Sequence, residues 1–168
     1  MLGRLWYPQL DVYDTIRRMG LLLLEWNTNG PSRERLFIAD FYLANPPLLH
    51  KTQMDLKMRE IFRSLKIPRQ EKVFLEYPLA PILYHKMEPV QRKSLQTFVG
   101  KGMVDIEGIK SGRVELNDAG RELLEKKSVV GAAQDEMDTV KFLVKNFAAQ
   151  DANGIREIRQ RTGLRRAV

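Results

Sequence analysis

The chain has 168 residues, of which 43% are hydrophobic and 29% charged, a composition typical of a globular protein of one or two small domains. It contains no cysteine, which excludes a disulfide framework, a thiolate zinc site and a cysteine nucleophile. The net charge of +7 and the sequence pI near 9.7 favour an anionic partner such as nucleic acid. With no signal-peptide pattern and no apolar run of membrane-spanning length, we expect a cytoplasmic protein without a membrane partner.

Three helices are predicted in the first part of the chain. The first covers residues 11–26, where apolar residues recur at intervals of three and four, and its second half is apolar on every side at 21–24. That half is enclosed either by this chain or by a partner. The second helix covers 33–44 and ends before two prolines, and the third covers 55–66. Joined by short connections, they form a unit similar to a helix-turn-helix.

Prolines interrupt the middle of the chain. Alternating apolar residues predict a short strand over 73–77, which Pro78 ends. A short helix is then predicted over 79–87. Because proline is favoured in the first turn of a helix, Pro89 predicts that a separate helix begins there and covers 90–99.

Two short strands are predicted next, at residues 103–106 and 113–116. Apolar and polar residues alternate in both, a pattern that places one face of a hairpin on a core. Residues 107–112 form the turn between them, and a helix that begins at Asn117 closes the unit. A helix, a hairpin and a second helix in this order indicate a winged helix.

A further amphipathic helix is predicted over 134–149, before an arginine-rich segment that starts at Arg156. From that residue onward the chain has five arginines and one glutamate, a net +4 of the total charge. The predicted fold is mainly α-helical with a small β-wing: a winged helix-turn-helix, with a tandem arrangement left open, and a C-terminal helix. We predict a helical subdomain at 1–69, a winged-helix subdomain at 70–130, and a C-terminal helix with a basic tail at 131–168.

The sequence contains no pattern typical of a catalytic or metal site. The two histidines, His50 and His85, lie in unrelated segments and form no HExxH spacing. The GxSxG elbow of hydrolases is missing too. The stretches GKGMVD (100–105) and GIKSG (108–112) lack the glycines that a phosphate-binding loop needs. We therefore expect a binding protein rather than an enzyme, with no cofactor.

Residues suited to nucleic acid lie on the outer face of the predicted 90–99 helix, in the wing and in the tail. Arginine and glutamine suit base edges, and lysine and threonine suit phosphates. Three acidic residues nearly balance the charge of the wing, which disfavours a dedicated DNA reader. The candidates for nucleic-acid contact are Arg92, Lys93, Gln96, Thr97, Lys101, Lys110, Arg113, Arg156, Arg159, Arg161, Arg165 and Arg166.

Three stretches, YPQLDVYDTIRRMGLLLLEW (7–26), RERLFIADFYLANPPLL (33–49) and MEPVQRKSLQTFVGKGMVDI (87–106), resemble the middle component of bacterial ABC-three-component systems. That group includes the Lamassu-type systems, and its members are encoded beside an SMC- or Rad50-like ATPase. The resemblance covers about residues 7–124. It implies a non-catalytic winged-helix adaptor that bridges the ATPase and an effector, often a nuclease, in anti-phage or anti-plasmid defence. The residues that it implies for partner contact are Trp6, Tyr7, Leu21, Leu22, Leu24 and Tyr42, although aromatic residues at such spacings are also typical of a core.

A transcription regulator is the alternative function. A regulator of the winged-helix class would bind DNA as a homodimer, at two half-sites about one helical turn apart. The adaptor hypothesis instead predicts weak DNA binding without sequence preference by the isolated chain. The balanced charge of the predicted wing favours the adaptor.

Overall fold

The computed structural model describes residues 7–26, 29–70, 79–127, 132–149 and 154–165, which are mainly helical. Short 3-10 helices precede and follow the first two helices, at Pro8–Leu10 and Pro46–Lys51, and a π-helical turn, Leu143–Phe147, extends the seventh. The α-helices of these residues are α1 (Val12–Glu25), α2 (Arg33–Ala44), α3 (Leu56–Ser64), α4 (Ala80–Gly100), α5 (Ile106–Lys110), α6 (Asp118–Lys127), α7 (Gln134–Phe142) and α8 (Ile155–Thr162).

Helix α2 lies at the centre of the fold, in contact with α1, α4, α7 and α8. Every residue from 35 to 43 is buried. Ser32 begins the helix by accepting a hydrogen bond from the backbone N–H of Arg35 at 3.3 Å. Asn45 ends it, and its side chain donates to the carbonyl oxygen of Phe41 at 2.8 Å. The predicted bounds of this helix are confirmed.

The apolar half of α1 is enclosed by this chain. Met19, Leu21, Leu22 and Leu23 are at most 1% exposed, and α1 contacts α2, α4, α6 and α7. Burying a leucine side chain contributes roughly 2 kcal/mol, which explains why the leucine run is placed in the core. Leu21 and Leu22 therefore present no surface to a partner, contrary to the interface role that the resemblance implied for them.

A buried polar network joins α1, α2 and α4. Arg18, 2% exposed, donates from Nε to Asp40 Oδ1 at 2.8 Å. Gln91 Nε2 donates to the other Asp40 oxygen at 2.8 Å and to the carbonyl oxygen of Phe37 at 2.9 Å, and Asp14 accepts a further N–H of Arg18. Burial, the largest effect, lowers the pKa of Arg18, but the two carboxylates together raise it by more, so the ion pair keeps its charge.

The prediction that separate helices lie on either side of Pro89 is wrong. Helix α4 is continuous over Ala80–Gly100, and Pro89 lies inside it on the exposed side. Buried residues keep their helical spacing across the proline, from Tyr84 through Met87 to Gln91. The packing of this continuous stripe on α1 and α2 outweighs the one backbone hydrogen bond that proline cannot donate.

A two-stranded wing is absent from the described part of the chain. Val104 and Leu116 form a single antiparallel bridge, and the residues expected to form an extended turn make the short helix α5. Asp105 favours this helix, because its side chain accepts a hydrogen bond from the backbone N–H of Gly108 at 2.8 Å. The strand expected over 73–77 lies outside the described residues.

The C-terminal segments pack on the core. The helix expected over 134–149 is present as α7 and the π-helical turn, which end at Phe147. The arginine-rich segment forms α8, and Ile158 in this helix and Leu164 after it are fully buried. The subdomain boundaries at residues 69 and 130 stay a prediction, and α1 contacts helices from all three predicted segments. None of the described helices is long and apolar enough to cross a bilayer.

Candidate partner-binding groove

The residues of α4 predicted to contact nucleic acid lie along its solvent side. The Arg92 guanidinium is 2.7 Å from a Glu88 carboxylate oxygen, and the Arg92 side chain is 48% exposed. The hydroxyl of Thr97 donates to a backbone carbonyl one turn earlier, at 3.0 Å. An exposed ion pair contributes about 0–1 kcal/mol to stability, so Arg92 can exchange its partner at little cost. Arg92, Lys93 and Gln96 are exposed on this side of α4, and Lys101, which directly follows the helix, is exposed as well.

The two basic residues of the predicted wing have polar neighbours within this chain. Lys110 pairs with Glu107 at 2.9 Å on α5, where both side chains are exposed. Arg113 is exposed as well, and its Nη1 donates to the Asn29 side chain at 3.5 Å, the outer limit of a hydrogen bond. Of the two cations in this segment, Lys110 is therefore paired with a carboxylate, whereas the neighbour of Arg113 is an uncharged amide.

Two of the tail arginines anchor α8 to the fold. Arg159 donates two hydrogen bonds to the Glu34 carboxylate, at 2.8 and 2.5 Å, and this hydrogen bonding raises the pKa of Arg159. Arg161 donates to the carbonyl oxygen of Phe147 at 2.6 Å and lies over its ring, 5.6 Å from the centroid. These two side chains hold α8 in place. Of the other three, Arg156 and Arg165 are exposed, and Arg166 lies outside the described residues.

The aromatic residues implied for partner contact have different surroundings. Trp6 lies outside the described residues, and Tyr7 is 52% exposed. Tyr42 is 1% exposed, with its ring 5.2 Å from that of Phe147 in an edge-to-face contact, so it belongs to the core and not to a surface. Leu24 is half-buried.

Burial, with a smaller effect of nearby Tyr84, raises the pKa of Tyr42, so its phenol stays neutral in the folded chain under conditions that ionise it in the unfolded chain. The phenol titrates near pH 10 in the unfolded chain. The stability that the buried, neutral phenol contributes is therefore complete below pH 10 and falls above it by up to about 1.4 kcal/mol per pH unit. We expect Tyr42→Phe to lose less stability than the wild type between about pH 10 and 11 in urea unfolding. Tyr13→Phe, at a position that is 84% exposed, is the control; an equal effect of both substitutions would contradict the assignment to Tyr42.

A groove of about 680 Å³ opens between α2, α4, α5 and α8. This volume is within the usual range of ligand-binding clefts. Its rim is polar, and three residues predicted to contact nucleic acid, Arg92, Gln96 and Arg113, belong to it. The floor is apolar and consists of Phe37, Leu95, Val99, Ile109, Val114 and Ile155.

A close backbone contact fixes one wall of the groove. Arg113 forms an isolated antiparallel bridge with Ser32, and the backbone N–H of Val114 donates to the Pro31 carbonyl oxygen at 2.8 Å. Gly30 permits this approach, because a Cβ atom there would lie 2.0 Å from the carbonyl oxygen of Val114. The segment after α5 is thereby held against the start of α2, and this brings together residues that are about 80 positions apart in the chain.

The rim of the groove has a net positive charge. Among the described residues that line it, the one carboxylate, Glu34, is paired with Arg159. Arg33 and Arg113 are exposed and form no ion pair with a described residue. Arginine is enriched in protein–protein interfaces, where an apolar centre is surrounded by a polar rim. The groove therefore has the composition of a surface that binds a protein segment.

The sequence prediction reached part of this site. It selected Arg92, Gln96 and Arg113 from their chemistry, and it missed Arg33 and the apolar floor. No local signal in the sequence distinguishes the floor residues from residues of the core. A weak signal exists for Arg33, since it begins a helix in which most later residues are apolar.

The two histidines lie away from the groove. His50 Nε2 is 2.7 Å from the carbonyl oxygen of Ile67, and the His85 side chain is 85% exposed. Among the described residues, no three carboxylates or histidines are placed to hold a metal ion.

Comparison with known protein families gives a match over most of the chain. The model of the family described as "ABC-three component (ABC-3C) system Middle Component 5" matches residues 4–167. It includes the arginine-rich C-terminal segment, which the resemblance noted in the sequence did not reach. No curated protein and no solved structure matches the chain. Because the match spans nearly the whole sequence and confirms the predicted middle component, the chain belongs to the Middle Component 5 family of ABC-three-component systems.

Proposed function

We propose that this chain is a non-catalytic accessory subunit that assembles with the other components of an ABC-three-component system and uses the groove as one contact surface. Membership of the family supports assembly with further components. The proposed partners are an SMC- or Rad50-like ATPase and an effector, often a nuclease. The proposed setting is anti-phage or anti-plasmid defence of the Lamassu type, with DNA contact that does not depend on sequence.

The apolar floor of the groove is the observation that carries this proposal. A side chain that reads DNA must reach base edges across an exposed polar surface. Gln96 and Arg113 instead stand at the edge of a cleft lined by apolar side chains from four helices and the 112–114 segment. Such a cleft can bury the apolar anchors of a protein segment, which supply most of the binding energy in interfaces.

The order of elements around the groove also supports an adaptor of the winged-helix class. Helix α4, the Val104–Leu116 bridge and α6 follow one another as in a winged helix, with the wing reduced to one bridge. A short wing leaves less surface for the DNA backbone. Residues from α5 to Val114, where the sequence predicted the wing, instead line the groove.

Reversing the two unpaired charges of the rim tests the groove. A cationic rim favours a partner surface with acidic side chains, so each substitution would create a like-charge contact that costs more than about 1.4 kcal/mol. We therefore expect the tagged Arg33→Glu/Arg113→Glu variant, co-expressed with the neighbouring components, to recover at most about one tenth of the ATPase or effector that the wild type recovers. The measurement is quantitative mass spectrometry of the eluate.

The matched control is Lys86→Glu/Lys141→Glu, which changes the net charge equally at two exposed positions that do not line the groove. It should retain wild-type amounts of the partners. Wild-type retention by the rim variant, or an equal loss in both variants, would show that the groove is not the contact surface.

A further inference from the structure

We infer that α3 and the segment after it form a separate cationic site that binds the phosphate backbone of nucleic acid without reading its sequence. Residues 51–70 have six basic and two acidic side chains, a net +4 of the total of +7. The sequence interpretation assigned the excess charge to the tail, but this segment has an equal share. The inference rests on the DNA contact in the proposed function and gives it a location. The site shares no lining residue with the groove, so the DNA site and the partner-binding groove can be tested, and can fail, separately.

The basic side chains converge on a cavity of about 370 Å³ that is lined by Arg59, Arg63, Lys66 and Arg69. All four are exposed, and none forms an ion pair with a described residue. Among the described residues, no carboxylate lines this cavity. Like charges that share a cleft repel one another and attract an anion from solution. The cluster is therefore suited to a partner with several negative charges.

The wall of the cavity is held by packing and hydrogen bonds. Asp55 caps α3 by accepting from the backbone N–H of Met58 at 2.8 Å. Phe62 is 6% exposed, and its ring centroid is 4.9 Å from that of His50. The His50 ring in turn contacts the carbonyl oxygen of Ile67 at 2.7 Å. These contacts fix the direction of the chain after α3 and place the four cations around one opening.

The spacing of the cations fits an extended polyanion. Arg59 and Arg63 are one helical turn apart, about 6 Å along α3. Phosphates of one DNA strand advance about 3.4 Å per nucleotide along the axis, so two nucleotides span about 7 Å. Contacts of arginine and lysine side chains with phosphates position a backbone and do not select a sequence.

The backbone of Lys66 gives a second, independent reason for this assignment. Lys66 has a φ of +53°, a left-handed conformation in which helices usually end on glycine. A lysine has a steric cost there that glycine avoids. Non-glycine residues in this region cluster at functional sites, where the side chain is needed. The positive charge of Lys66, which lines the cavity, explains why a lysine occupies this position.

The test compares two variants of the full chain that each remove four positive charges. One is Arg59→Gln/Arg63→Gln/Lys66→Gln/Arg69→Gln. The other, the α4–α5 variant, is Arg92→Gln/Lys93→Gln/Lys101→Gln/Lys110→Gln, at exposed positions on α4, at its C-terminal end and on α5. Fluorescence anisotropy with a labelled random-sequence DNA duplex gives the affinity from about 50 to 200 mM salt. Circular dichroism confirms that both variants are folded.

We expect the α3 variant to flatten the slope of log affinity against log salt by about 2 to 4, because each phosphate that the protein no longer neutralises lowers the slope by about 0.9. The α4–α5 variant should change the slope by less than about 1. An equal effect of both variants, an effect of the α4–α5 variant alone, or no wild-type binding at low salt would overturn the assignment. Displacement of the duplex by poly-glutamate at equal charge would assign the site to an acidic protein and would also overturn it.

Lys66→Gly separates the charge of Lys66 from its effect on the fold. Glycine adopts the left-handed conformation without steric strain, so the melting temperature should rise by a few degrees. The loss of one positive charge should lower the DNA affinity at low salt several-fold. A variant in which both quantities fall would assign a structural role to Lys66. Unchanged affinity would exclude its side chain from the site.

Discussion

Replacing Asp40 with alanine should destabilise the chain by about 3 to 5 kcal/mol, because the substitution leaves the Arg18 guanidinium buried without its main partner. Asp40 is fully buried and accepts hydrogen bonds from both Arg18 and Gln91, each at 2.8 Å. The destabilisation is therefore shared by three helices, α1, α2 and α4. Urea unfolding followed by circular dichroism measures it as a lower midpoint with an unchanged slope.

Two further variants show whether the destabilisation comes from leaving Arg18 buried without a carboxylate partner. Arg18→Met/Asp40→Leu removes both charges together, and it should recover most of the stability that Asp40→Ala loses, since apolar replacement of a whole buried pair is often neutral. Glu107→Ala breaks an exposed ion pair and should change stability by less than about 0.5 kcal/mol. If Asp40→Ala cost no more than Glu107→Ala, the network would not be a main determinant of this fold.

Replacing Gly120 with alanine should destabilise the chain by about 3 kcal/mol, the upper part of the range for an overpacked site. A Cβ atom at this position would lie 2.1 Å from the carbonyl oxygen of Met103, and backbone cannot rotate away as a side chain can. The same carbonyl accepts the backbone N–H of Asn117 at 3.1 Å, and the Asn117 side chain caps α6 by accepting from Gly120 at 2.8 Å. Moving the Met103 carbonyl away from Gly120 would weaken both the hydrogen bonds at the start of α6 and the packing of the segment that leads to α5.

Gly100→Ala is the matched control, because a Cβ atom there meets no atom within 4 Å. It lies at the end of α4, where alanine should leave the stability unchanged or raise it by up to about 1 kcal/mol. Thermal unfolding of the two variants under the same conditions gives the comparison. Equal melting temperatures would show that the close approach at Gly120 is not needed.

The bounds of the N-terminal helices could be predicted because their signals are local. Asp11, Ser32 and Asp55 each accept a backbone N–H at the start of the helix that they precede. The end of α2 is marked by the Asn45-Pro46 pair, which the sequence also displays. Signals of this kind depend on a few adjacent residues and need no knowledge of the rest of the fold.

The errors in the middle of the chain have a non-local cause. Pro89 has the sequence context of a helix start, and only the packing of α4 on α1 and α2 shows that the helix continues through it. The alternation around Val104 and Leu116 is that of a hairpin, and both residues are indeed buried. Burial of alternate residues does not require strands on both sides, and the cap supplied by Asp105 decides for a short helix.

Polar residues at apolar spacings give no local signal of the partners that they have in the fold. Asp40 follows the apolar side of α2, and its partners come from positions 22 residues earlier and 51 residues later. The stretches that carry the family resemblance contain Arg18, Asp40 and Gln91, so part of that resemblance lies in residues that hold the core together. The candidate site shows the same limit. The chemistry of Arg92 and Arg113 is evident in the sequence, but their common groove depends on the bridge between Arg113 and Ser32.

The most direct test of the proposed function is affinity purification of the tagged chain from its native host, followed by mass spectrometry and mass determination of what elutes with it. An accessory subunit predicts that an ATPase with long coiled-coil arms elutes in near-stoichiometric amount, with or without the effector. Elution of the chain alone, as a homodimer that carries DNA, would contradict this function and favour a transcription regulator.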